Sequence, residues 1–220
     1  KGRTGSLSHL SGFSFYVAHN IQVGEMGALN TDDPKIATMA RKIKGNGRVC
    51  DCITCTRTSK CKRVNEPYDP RFTHDVIGYN FKTTEISAAL GLVQLKHFES
   101  NFRKRQENVK YLNEGLSELS DILQLPEHSD QISYLAYPVV IKDPSVISRA
   151  SLANTLERKG IETRPLFGSI PTQQVAYSHL KEKYMGKLPN ADFIGSNGFY
   201  IGCHQYLEKD DLDKIINTFR

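Results

Sequence analysis

Ser14-Phe15-Tyr16-Val17-Ala18-His19-Asn20-Ile21, followed by Gly24-Glu25-Met26-Gly27, is the segment on which the fold turns. The apolar run from Gly12 to Val17 predicts a buried strand, and Gly27 to Thr31 a second one. Between them His19 falls in a loop that ends at Gly24. A serine hydroxyl beside backbone N–H groups can hold a phosphate. A loop histidine can act as a general acid or base near neutral pH. The same spacing also describes a surface histidine beside a glycine turn, and spacing alone leaves both readings open.

Outward from this segment the pattern alternates between helix and strand. Asp33 and Pro34 open a helix, because aspartate caps the first turn and proline fits it. That helix is expected to run to Lys44 and stop at Gly45-Asn46-Gly47. From Thr83 a long amphipathic helix is expected, with Ile86, Leu90, Val93 and Phe98 followed by Phe102, Val109, Leu112 and Leu116 on its apolar face. A run this long implies a bend or break. Beyond it, strands are predicted over Tyr134–Ile141, Ile161–Phe167 and Asn197–Gly202. Helices are predicted from the Ser148 cap to Gly160 and over Asp210–Phe219. The fold class is therefore α/β: part of a large domain with a mixed sheet over residues 1–105, then a small α/β domain over 106–220.

Residues 48–76 have neither periodicity, and a loop of this length in a compact domain is usually functional or disordered. Four of the five cysteines lie there, as Cys50, Cys52, Cys55 and Cys61. Thiols so close together point to a metal site in a reducing compartment, hence the cytoplasm, rather than to a disulfide framework. By spacing alone zinc is the first candidate, in a catalytic protein or a non-catalytic binding module. The fifth, Cys203, reads as a small buried residue. Net charge is +5, with basic residues concentrated at Arg57, Lys60, Lys62 and Arg63 and in the run Arg103, Lys104, Arg105. That mild field suits an anionic small substrate better than nucleic acid, which calls for a continuous basic stripe. No apolar run approaches the ~20 residues of a membrane span.

Two further segments join the first. Ile77-Gly78-Tyr79-Asn80-Phe81-Lys82-Thr83-Thr84-Glu85-Ile86 leads into Ala88-Ala89-Leu90-Gly91, and Gly160-Ile161-Glu162-Thr163-Arg164-Pro165 follows in the same order. Together they resemble the DegT/DnrJ/EryC1/StrS family of sugar aminotransferases, which bind pyridoxal phosphate (PLP) on an aspartate-aminotransferase-like (type I) PLP-dependent transferase fold. The resemblance makes Ser14 a cofactor-phosphate ligand. It makes Asn80 a second one, reaching the neighbouring subunit of a homodimer with shared active sites. His19 falls where the family has its Schiff-base lysine, and Met26 departs from the family's glycine turn. On the residues themselves, Asn80 is also what a turn before a helix commonly uses. Arg164 can equally grip a phosphate or sugar hydroxyl, or form a structural salt bridge. His74 and Asp75 read only as capping a turn, and Glu25 is unassigned.

Histidine in place of the lysine resembles the 3-dehydratase branch of the family, which acts on nucleotide-linked 4-keto-6-deoxyhexoses such as the GDP-mannose and CDP-glucose derivatives. The resemblance implies an untethered cofactor working as pyridoxamine phosphate (PMP), with His19 as proton carrier, in deoxysugar or lipopolysaccharide biosynthesis. The cysteines resemble those of the CDP-sugar member, which places an iron–sulfur cluster on Cys50, Cys52 and Cys61. Cys55 is then a replacement ligand or an extra thiol, and an NAD(P)H-dependent reductase is the implied partner. Alternatives are a cluster-free dehydratase that uses glutamate, an ordinary sugar aminotransferase and the zinc module. The family's pyridine-nitrogen aspartate lies upstream of Lys1, so this chain is expected to be part of a longer enzyme.

Overall fold

The computed structural model describes residues 2–50, 52, 61, 63, 65–166, 172 and 174–220. Two compact units divide the chain, Lys1–Lys96 and His97–Arg220.

In the first unit, strands β1 (Ser11–Ser14) and β2 (Gly27–Asn30) pair antiparallel, with Ser14 opposite Gly27. The segment between them folds back on itself, so antiparallel pairing is the geometry available. A mixed sheet was expected, and none is present among the described residues. The expected burial is not found either: Phe13, Tyr16, Val17 and Leu29 are all exposed. A two-stranded ribbon has too little surface to cover its own apolar side chains.

Helix α1 (Pro34–Lys44) keeps the predicted bounds. Asp33 Oδ1 accepts from Lys35 N at 2.7 Å and Ile36 N at 3.3 Å, a cap that contributes about 1 kcal/mol. Its end is set by Gly45, after which Asn46 and Gly47 take positive φ (71° and 75°). The long run breaks at His97 into α2 (Glu85–Lys96) and α3 (Phe98–Gly115). Only the second part is amphipathic as predicted. On α2 the apolar residues point all round, and Ile86, Leu90, Leu92, Val93 and Leu95 are each at least half exposed.

The second unit is a four-stranded antiparallel sheet in the order β3 (Leu123–Gln124), β4 (Tyr137–Ile141), β6 (Gly198–Ile201), β5 (Thr163–Pro165). Helices α4 (Arg149–Arg158) and α7 (Lys209–Phe219) pack against each other, and α3 packs on α7. The core they enclose holds Val109, Leu112, Leu116, Tyr137, Ile141, Leu156, Phe199 and Ile201, all almost fully buried. The chain also forms α5 (Lys181–Tyr184) and α6 (Pro189–Asn197), which sequence pattern did not predict.

Strand bounds are shorter than expected. Tyr134 lies outside β4 because its hydroxyl closes a loop, donating to Glu127 O and accepting from Ser129 N, both at 2.7 Å. Ser148 caps α4 as read from sequence, through Ser151 N, and Gly160 follows its end at φ +80°. α7 begins with a capping box between Glu208 and Asp211. Phe167, the expected end of β5, lies outside the described residues.

Candidate active site

The His19 turn is built by its own backbone. Phe15 N donates to Met26 O (2.9 Å), Val23 N to Phe15 O (2.9 Å) and Val17 N to Gly24 O (3.0 Å), which carries the β1–β2 pairing up to the turn. Gly24 takes φ +87°, a conformation that costs a residue with a Cβ about 1 kcal/mol or more. At the tip, His19 N donates to Tyr16 O at 2.9 Å, and the rings of these residues meet edge to face with centroids 6.0 Å apart.

This turn brings two of the sequence-assigned residues together. Ser14 Oγ lies 3.3 Å from His19 Nδ1, and the same oxygen accepts from Tyr16 N at 3.3 Å. Ser14 is exposed and His19 half-buried. Helix α2 passes close by at Gly91, where a Cβ would stand 3.3 Å from Met26 Cε and 3.6 Å from Val23 Cγ2. Val23 is itself buried. The glycine thus lets α2 support the segment that carries His19.

Asn80 is exposed and forms no hydrogen bond to Ser14 or His19 among the described residues; its backbone bridges to Gly45 at the end of α1. The approach to Asn80 is tightly packed. Gly47 and Gly78 cross so closely that a Cβ on residue 78 would lie 2.1 Å from Gly47 N. A Cβ on residue 47 would lie 1.9 Å from Val76 O.

His74 and Asp75 do more than cap a turn. His74 Nδ1 meets Asn46 O at 2.8 Å, Lys42 Nζ donates to Asp75 at 2.5 Å, and Lys82 Nζ donates to Asn46 Oδ1 at 3.0 Å. The hydrogen bond from Lys42 holds the Asp75 carboxyl below its ordinary range. With the Arg48–His74 bridge and the Val49 N to Thr73 O bond (2.9 Å), these contacts fasten both ends of the cysteine loop at the foot of the Asn80 segment. No sequence signal marks Lys42 and Asp75 as partners.

Among the described residues no three His, Cys, Asp or Glu side chains converge as metal ligands. Cys50 and Cys61 are half-buried and Cys52 is exposed, whereas Cys55 lies outside the described residues. Glu25 is exposed. Arg164, on β5 in the second unit, donates to Glu162 at 2.5 Å, and both side chains are largely exposed.

Arg105, the last residue of the basic run Arg103, Lys104, Arg105, is only 3% exposed. Its guanidinium donates to Tyr134 O and Leu135 O (3.0 Å each) and to Gln205 Oε1 (3.1 Å). The signal was its position one helical repeat before Val109, Leu112 and Leu116. Cys203 is buried as read, and burial pushes its thiol up to about 11.

A serine and a histidine in contact at the end of a β-ribbon, beside a helix packed through glycine, form a small polar site that a phosphate-bearing group could occupy. The exposed Ser14 hydroxyl suits such a group chemically, since it can donate to an anion that only accepts. The chain belongs to the DegT/DnrJ/EryC1/StrS aminotransferase family, whose profile matches residues 1–220. It is 31% identical over 98% of its length to the lipopolysaccharide biosynthesis protein RfbH of Salmonella typhimurium. It is 32% identical over 99% to dTDP-4-dehydro-2,6-dideoxy-D-glucose 3-dehydratase of Saccharopolyspora spinosa. It covers 51% and 49% of these two proteins, so the chain spans about half the length of the curated relatives it matches. Among solved structures, Escherichia coli GDP-4-keto-6-deoxy-D-mannose-3-dehydratase with bound hydrated PLP matches with TM-score 0.80 and 22% identity, over 99% of this chain and 56% of that one. The fold is that of the PLP-dependent aminotransferases. No described helix is long and apolar enough to cross a membrane.

Proposed function

We propose that the whole protein removes the 3-hydroxyl of a nucleotide-linked 4-keto-6-deoxyhexose, using untethered PMP, in cytoplasmic deoxysugar biosynthesis. The observation that carries this is His19, standing where the family resemblance places a Schiff-base lysine and held through Nδ1 by Ser14. An imidazole forms no stable imine with an aldehyde, so the cofactor stays free to leave. Relatives with 3-dehydratase names support the same reading.

Bound PMP supplies an amine for the 4-keto group and an electron-withdrawing ring. The chain's own residues supply the rest. Ser14 donates its hydroxyl proton to the phosphate. Asn80, on the rigid Gly47–Gly78 crossing, is a second phosphate ligand, offered to the neighbouring subunit. His19 Nε2, opposite the nitrogen that faces Ser14, takes the proton at the methylene carbon and delivers it to the departing 3-hydroxyl. Arg164 is assigned to a phosphate or sugar hydroxyl. The exposed apolar side chains Ile77, Phe81, Ile86, Leu92 and Leu95 support burial of this segment and of α2 against further protein, as a homodimer requires.

The four thiols between Cys50 and Cys61 suit an iron–sulfur cluster fed by an NAD(P)H-dependent reductase. Visible charge-transfer absorption of the full-length protein, lost in Cys50→Ser and Cys52→Ser, is the expected sign. An aminotransferase is the second reading, favoured by 29% identity over 66% of this chain to dTDP-4-amino-4,6-dideoxy-D-glucose transaminase of Shigella dysenteriae. The deciding experiment supplies full-length protein with PMP, reductant and nucleotide-linked 4-keto-6-deoxyhexose. A 3-deoxy product supports dehydration, and a 4-amino sugar with the 3-hydroxyl retained refutes it.

A further inference from the structure

Ser14 and His19 form a hydrogen bond whose direction is undetermined by the two residues alone. A serine hydroxyl has one proton and two acceptor lone pairs, and a neutral imidazole has one donor and one acceptor nitrogen. If Ser14 donates to Nδ1, the imidazole proton sits on Nε2, and His19 has no lone pair there to act as a base. If Nδ1–H donates to Ser14 Oγ, Nε2 is unprotonated and ready.

The surroundings remove part of this freedom. Tyr16 N–H already occupies one acceptor position of Ser14 Oγ, at 3.3 Å. The His19 backbone is fixed by its bond to Tyr16 O, and its ring by the edge-to-face contact with Tyr16. The imidazole therefore keeps Nδ1 toward Ser14 in either tautomer. What remains free is the single Ser14 proton, and Ser14 is exposed.

We propose that Ser14 is a positioning residue that converts phosphate binding into the base form of His19. A phosphate oxygen only accepts, so it claims the Ser14 proton. The Ser14 lone pair left over faces His19 Nδ1, which must then donate. The imidazole proton moves to Nδ1 and the Nε2 lone pair is exposed for proton abstraction. Without phosphate the Ser14 proton is available to Nδ1, and His19 rests with Nε2 protonated. The inference rests on the functional reading above only in taking the phosphate to be the cofactor's.

The test is nuclear magnetic resonance of full-length protein carrying ring-15N histidine, at about pH 8.5, where a free imidazole is neutral. His19 is assigned by its loss in His19→Gln. The probes are PMP and pyridoxamine, which lacks the phosphate. PMP is expected to shift the His19 tautomer ratio toward Nδ1–H by about tenfold, the scale of one hydrogen bond. Pyridoxamine should leave the ratio unchanged. Ser14→Thr should keep the shift, and Ser14→Ala, saturated with PMP, should lose it. A bound PMP that leaves wild-type His19 with Nε2 protonated, or a shift that survives in Ser14→Ala, overturns the tautomer proposal and leaves the dehydratase reading standing. Failure of wild type to bind PMP overturns both.

Discussion

Gly78→Ala tests whether the Asn80 segment is held by close backbone crossing. The added Cβ would lie 2.1 Å from Gly47 N, 2.5 Å from Asn46 C and 2.6 Å from Gly47 Cα. Ordinary contact begins at 3.4 Å, so the two backbones must part by more than ~1 Å. None of the three atoms belongs to a side chain that could swing away. Parting strains the bonds from Asp75 N and Val76 N to Gly47 O (3.1 and 3.4 Å) and from Asn46 N to Tyr79 O (2.9 Å). Overpacking together with one or two weakened hydrogen bonds amounts to about 2–4 kcal/mol. Urea denaturation of the full-length protein measures the loss, and PMP titration measures the accompanying displacement of Asn80 as weaker binding. Gly186→Ala is the control: φ is +69° there but nothing lies within 4 Å, so only the backbone term of about 1 kcal/mol applies. If Gly78→Ala costs no more than Gly186→Ala and PMP affinity is unchanged, the crossing does not position Asn80.

Other outcomes follow from the same contacts. Arg105→Ala strips donors from the carbonyls of Tyr134 and Leu135 and should destabilise by about 2–4 kcal/mol in urea denaturation, with Arg105→Lys recovering only part. Asp75 has a depressed carboxyl, so its pairing with Lys42 stabilises fully above the unfolded value of about 3.9 and is lost as pH falls through the lower folded value. The difference in melting temperature between wild type and Asp75→Asn should be flat above about pH 5 and shrink below pH 4. Gly91→Leu should drive α2 away from Val23 and Met26, weakening PMP binding more than it lowers the melting temperature.

Where a structural cause was local, the sequence displayed it. Asp33 and Pro34 start α1 and Gly45 ends it because caps and breakers act within a few residues. Ser14 and His19, five positions apart, meet because a short β-ribbon turn returns the chain on itself. Lys42 and Asp75 are separated by 33 positions, and no local pattern pairs them. Burial was misread for a related reason. Periodicity says which side chains share a face but not whether anything covers it, so β1 and the apolar face of α2 read as core-facing while Phe13, Ile86 and Leu90 are exposed. Arg105 stands in a basic run, and the run alone does not show that this one charge is buried on backbone carbonyls.

The central claim is that His19 moves protons for a cofactor it never holds covalently. Borohydride reduction of the full-length protein loaded with PLP, followed by denaturation and mass spectrometry, tests it directly. Wild type should release its pyridoxal species with no added mass, while His19→Lys should retain it covalently and form no 3-deoxy sugar. A stoichiometric pyridoxyl adduct on a single lysine of the wild-type protein would contradict the account.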